Sequence, residues 1–103
     1  MSWEDIGSIT KFPPGATRVE LGAESLALVR IGDDLYAIGD TCSHAQASLS
    51  EGELWDYALE CPLHGAEFDV RTGKPGSLPA TQPVPTYEVR VEGDRVMIRA
   101  AQE

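Results

Sequence analysis

"CSHAQASLSEGELWDYALECPLHGAEF", residues 42–68, is the stretch on which the reading of this chain turns. It opens with a C-x-H pair, Cys42 and His44, and ends around a C-x2-H pair, Cys61 and His64, with sixteen residues between the two pairs. The 103-residue chain holds two cysteines and two histidines in all, so its thiols and imidazoles fall entirely within these two short segments. A disulfide between Cys42 and Cys61 is the plainest use of two cysteines, but it leaves both histidines without a purpose.

Outward from this stretch, turn signals recur at short intervals and no long segment follows the helical period, which predicts a β-rich chain. "TRVEL" (17–21) and "ESLALVRI" (24–31) are expected strands, and "GDD" at 32–34 is a turn into "LYAIGD" (35–40). The first Cys/His pair follows at once. "GELWDYALEC" (52–61) predicts a hairpin turning near Asp56, whose second strand runs into Cys61, so both donor pairs are expected at strand ends. "AEFDVRTGK" (66–74) predicts a short strand and a glycine turn. Pro75, Pro79, Pro83 and Pro85 then keep the chain extended and out of any ladder. In "TYEVRVEGDRVMIRA" (86–100), Tyr87, Val89 and Val91 alternate with Glu88, Arg90 and Glu92 ahead of a turn at "EGD", which predicts a hairpin with one apolar face. Trp3, Trp55 and Tyr57 are expected as core residues or cross-strand pairs.

Length and charge narrow the function. A chain of 103 residues has room for one modest core and is expected to be a single domain spanning 1–103. Eight Lys and Arg against seventeen Asp and Glu give a formal charge of -9, which disfavours nucleic acid and anionic membrane surfaces as partners. No apolar stretch approaches the length of a membrane span and the start lacks a signal-like core, so a soluble, cytoplasmic protein is expected. No Ser-His-Asp set and no phosphate-binding glycine loop is evident, and the chain is not expected to catalyse bond chemistry. The acidic excess is expected mainly to solvate a face, although it would also steer a basic partner.

Two segments at strand ends, each bearing one thiolate and one imidazole, can converge on a single metal centre held by the sheet beneath them. A structural zinc site usually pairs like with like along the chain, whereas each segment here supplies one sulfur and one nitrogen. The mixed pairing argues for two metal atoms. If both thiolates bind one iron and both imidazoles the other, each segment spans a two-iron, two-sulfide cluster. A structural zinc module that docks a protein partner remains the alternative at this level.

Residues 42–68, with the flanking hairpin pattern from about residue 3 to residue 99, resemble the Rieske-type ferredoxins of bacterial aromatic-ring-hydroxylating dioxygenase systems. The resemblance implies an all-β fold: an antiparallel β-sandwich of the Rieske type, with a small cluster-binding subdomain of two loops, about 40–80, inserted in a basal β domain. It implies one [2Fe-2S] Rieske cluster, with Cys42 and Cys61 on one iron and His44 and His64 on the other. Gly65 follows the second histidine, as in the family. Ala47 and Leu63 stand where high-potential respiratory relatives carry a pair of disulfide-forming cysteines. Ala66 and Phe68 stand where those relatives present serine and tyrosine hydroxyls. Pro79 is the candidate proline of a rigid lid over the cluster, and Leu63 and Phe68 are expected to exclude water.

The missing hydroxyl donors, together with Glu67 and Asp69 nearby, imply a potential at the low end of the mixed-ligand range, about -150 mV. The implied function is one-electron transport from an NAD(P)H-dependent flavoprotein ferredoxin reductase to a terminal Rieske non-haem iron oxygenase. The carrier is expected to be a monomer, with His44 and His64 exposed for docking. A small subunit of another oxidoreductase, similar to that of nitrite reductase, is the second reading the family allows.

Overall fold

The computed structural model describes residues 3–22, 24–41, 48–62, 67–76 and 83–100. Six strands form the larger sheet: β1 (Glu4–Ser8), β2 (Gly15–Leu21), β3 (Glu24–Ile31), β4 (Asp34–Gly39), β8 (Thr86–Glu92) and β9 (Arg95–Ala100). Their order is β1-β9-β8-β4-β3-β2, and every neighbouring pair is antiparallel. The smaller sheet comprises β5 (Leu54–Trp55), β6 (Ala58–Glu60) and β7 (Glu67–Asp69), in the order β5-β6-β7. The expected antiparallel all-β architecture is observed. Among the described residues no helix is long and apolar enough to cross a membrane.

β3 explains how the two sheets share one scaffold. Its apolar run Leu26–Val29 does not alternate with polar residues, because both faces of the strand are covered. Leu26 and Leu28 join Phe12, Ala37, Val96 and Ile98 in one core, whereas Ala27 and Val29 point the other way, toward Ile38, Leu49, Leu59, Cys61, Phe68, Val70 and Val84. The first group is closed within the curl of the large sheet. The second lies between the large sheet and the small one. Leu59 and Phe68 are cross-strand partners and both fully buried, each burial contributing about 1.5–3 kcal/mol.

The turns follow the glycine and aspartate signals. Asp56 turns the β5–β6 hairpin with φ 54°, a conformation aspartate tolerates better than most residues. Gly93 and Asp94 link β8 to β9. Tyr87 and Val89 pack against the large-sheet core, but Val91 is exposed, because it lies at the end of the hairpin beyond the reach of that core.

Two expectations need correction. β1 was not anticipated: its one apolar residue, Ile6, follows Glu4 and Asp5 and precedes Gly7, and its pairing with β9 shifts register between Asp5 and Gly7. The two tryptophans are also less buried than expected, whereas Tyr57 packs against the shared core as expected. Trp55 is 55% exposed, since it shares the outward face of the small sheet and its indole N–H donates to Glu60 Oε1 at 3.0 Å. Trp3, just ahead of β1, has the guanidinium groups of Arg90 and Arg99 each 4.4 Å from its ring. Tyr57 is partly buried and meets Tyr36 edge-on, with centroids 5.9 Å apart.

Candidate metal centre

Of the expected ligands and the residues named around the cluster, Cys61, Glu67, Phe68 and Asp69 are described. Cys42, His44, Ala47, Leu63, His64, Gly65, Ala66 and Pro79 lie outside the described residues. Cys61 follows β6 directly, as the hairpin reading anticipates, and carries a free thiol that is only 1% exposed. It packs in the core shared by the two sheets, with Leu49, Leu59, Phe68 and Val70. Phe68 is fully buried there, so its ring supplies apolar bulk and no hydroxyl.

The backbone around Cys61 is tied on both sides. The Glu60 N–H donates to the Glu53 carbonyl at 2.8 Å, and Glu60 pairs with Glu67 across β6 and β7. The chain between these two partners contains both Cys61 and His64. Gly76 N–H donates to the Glu67 carbonyl at 2.7 Å, bringing the start of the proline-rich stretch to β7. Its other end returns at Val84, whose N–H donates to the Gly73 carbonyl at 2.8 Å. Gly73 adopts φ +76°, and a Cβ there would come within 2.3 Å of the Val84 carbonyl oxygen, so the return requires glycine.

The flanks of the Cys42/His44 segment are tied just as closely. Thr41 and Ser48 form an antiparallel bridge. Asp40, 2% exposed, is the centre of this junction. Its carboxylate accepts from the Ser48 hydroxyl and from the Ser50 N–H at 2.9 Å, and its carbonyl accepts from the Leu49 N–H at 2.6 Å. Its own N–H donates to the Ser25 carbonyl at 3.0 Å, and Arg18 Nε lies 3.8 Å from Oδ2. A buried carboxylate is costly unless bonded in this way. Sequence reasoning passed over Asp40 because it reads as the last residue of the expected strand 35–40; the serines at 48 and 50 were the available signal.

A concavity of about 300 Å³ opens beside Cys61, lined by Glu51, Gly52, Glu53, Glu60, Cys61 and Pro62. Three of these lining residues are acidic. Asp69, anticipated as acidic charge near the cluster, is largely offset: the Arg71 guanidinium is 3.0 Å away and holds the Asp69 carboxyl below the usual carboxylate range. Arg71 also covers the Tyr57 ring at 4.2 Å.

These residues suit an iron–sulfur centre. A buried cysteine at a strand end supplies a soft donor from a rigid support, and both donor segments are anchored where they leave the sheets. The comparisons with known proteins agree. Residues 2–88 match the family model of the Rieske [2Fe-2S] domain. The anthranilate 1,2-dioxygenase ferredoxin subunit of Burkholderia cepacia is 43% identical over 98 residues, covering 93% of this chain and 90% of that protein. The ferredoxin of carbazole 1,9a-dioxygenase from Nocardioides aromaticivorans IC177 superposes with a TM-score of 0.92 at 36% identity, covering 98% of this chain and all (100%) of that one. A solved complex of reduced oxygenase and oxidized ferredoxin in carbazole 1,9a-dioxygenase contains a chain with a TM-score of 0.89 and 41% identity, covering 98% of this chain and 97% of its counterpart. The chain thus belongs to the Rieske [2Fe-2S] domain family as one of its ferredoxins, an electron carrier with one [2Fe-2S] cluster rather than a catalyst.

Proposed function

We propose that this ferredoxin receives single electrons from an NAD(P)H-dependent flavoprotein reductase and delivers them to a terminal Rieske non-haem iron oxygenase in the cytoplasm. The observation that carries the reading is the extent of the likeness to ferredoxins of ring-hydroxylating systems, among them one solved together with its oxygenase. Cys42 and Cys61 are the ligands of one iron and His44 and His64 those of the other, within a single domain whose cluster-binding part is 40–80. The cluster supplies reversible uptake of one electron.

The protein's own residues determine where that uptake occurs and at what potential. Cys61 fixes one sulfur donor in a dry core, and Phe68 fills the adjacent core without offering a hydroxyl. Glu51, Glu53 and Glu60 line the concavity beside Cys61, where their charge opposes an added electron. These features support a potential at the low end, about -150 mV. Purified protein should contain iron and acid-labile sulfide in equal amounts. Once reduced, it should be reoxidised by an oxygenase recovered with it from the native host. Zinc in place of iron would overturn the cofactor, and a carrier left reduced by that oxygenase would overturn the acceptor.

A further inference from the structure

The short turn after the first donor segment connects to both halves of the site. Ser48 and Ser50 are held by the buried Asp40 carboxylate, two positions ahead of Cys42 in the chain. Leu49 is fully buried, and the 3-10 turn Leu49–Glu51 closes through the Gly52 N–H to Leu49 carbonyl bond at 3.0 Å. At its far end Gly52 lies against the backbone of Glu60, the residue before Cys61. A Cβ on Gly52 would fall 1.6 Å from the Glu60 carbonyl oxygen and 2.8 Å from its carbon. Glu60 cannot readily retreat, because its N–H is bonded to Glu53 and it is paired with Glu67.

We propose that the Ser48–Gly52 turn is a strut that sets the spacing of Cys42 and Cys61, with Asp40 and Gly52 as its positioning residues. The proposal rests on the ligand assignment above. One end of the strut is fixed by side-chain bonds to a buried acid. The other is fixed by a backbone contact that only glycine permits. A shift at either end moves one cysteine relative to the other without touching any donor atom. The hydrogen bonds that support metal ligands act in this way elsewhere, and losing them typically weakens metal retention by about 10- to 100-fold.

The test compares loaded wild type with Asp40→Ala, Asp40→Asn, Gly52→Ala and a control, Ile98→Ala, in the core on the far side of the large sheet. Iron and sulfide per chain, the electron paramagnetic resonance of the reduced form, and the rate of iron loss to a chelator are measured beside thermal unfolding. Asp40→Ala and Gly52→Ala should lose iron about 10- to 100-fold faster and show altered g values. Asp40→Asn keeps an acceptor for Ser50 and should recover most of the retention. Ile98→Ala should lower the melting temperature yet keep wild-type resonance and iron release. Where Gly52→Ala fails to fold, Ser48→Ala reads the same strut from its other end and should speed release to a smaller degree. Wild-type resonance and release in loaded Asp40→Ala and Ser48→Ala would overturn the strut alone. Wild type lacking the two irons and two sulfides of a [2Fe-2S] cluster would defeat the ligand assignment as well.

Discussion

The two sheets are held together by different means. In the large sheet, β2 and β3 pair without interruption from Gly15–Arg30 to Leu21–Glu24, β8 and β9 from Tyr87–Ala100 to Glu92–Arg95, and the strands close over an apolar core. In the small sheet β5 meets β6 only at Leu54–Leu59 and Trp55–Ala58. Its order comes from backbone bonds at the turns, from Leu59 and Phe68 inserted beneath it, and from segments that continue to the proposed iron ligands. The large sheet, or platform, has a core of its own besides the one it shares, whereas, among the described residues, the small sheet has only the shared one. Metal binding and local folding are expected to be coupled on that side of the molecule and independent on the other.

Cys61→Ser should break the comparison most sharply. It should abolish stable cluster loading, seen as loss of iron and visible absorption, while far-ultraviolet circular dichroism still reports the large sheet. Loss of all strand signal would show that the platform depends on the cluster. Next in size are Leu28→Ala and Leu59→Ala, at fully or almost fully buried sites in the two cores. Each should cost about 2–5 kcal/mol in denaturant unfolding, but only Leu59→Ala should also hasten release of iron. Equal release from both would erase the distinction between the sheets.

A smaller effect is expected from Phe68→Tyr. The added hydroxyl enters a fully buried position, and a donor reaching the cluster sulfurs should raise the potential in voltammetry. A potential unchanged or lowered would mean that Phe68 does not face the centre. The smallest effect is that of pH. The Arg71 guanidinium holds the Asp69 carboxyl below its ordinary value, so this pair supports the folded state fully above the unfolded carboxyl's range and loses its contribution as pH falls through the depressed folded value. The exposed pair should therefore add a modest acid sensitivity to the small sheet, visible in the pH dependence of iron release and flattened in Asp69→Asn.

The platform was largely legible because its signals are local. The run within 24–31 reads as a strand, and the alternation at 86–90 as a strand with one apolar face. The expectation that β6 leads into Cys61 rested on the same logic and was met. What stayed hidden depends on partners far along the chain. β1 exists because β9 offers it an edge and Arg95 meets Asp5 at 3.0 Å, features its acidic, bulged sequence does not advertise. Asp40 acquires its importance from Ser25, Ser48 and Ser50 together. The outward face of Trp55 stayed hidden because its strand is two residues long, and at that length strand alternation leaves no second position from which to judge it.

The placement of the chain's two indoles gives each sheet its own optical reporter. Trp3, flanked by two guanidinium groups, belongs to the platform, while Trp55, open to water and bonded to Glu60, belongs to the hairpin that leads to Cys61. Emission from Trp55 should lie further to the red, and quenching of that component as iron is added would time the assembly of the centre against an internal standard carried by the same molecule.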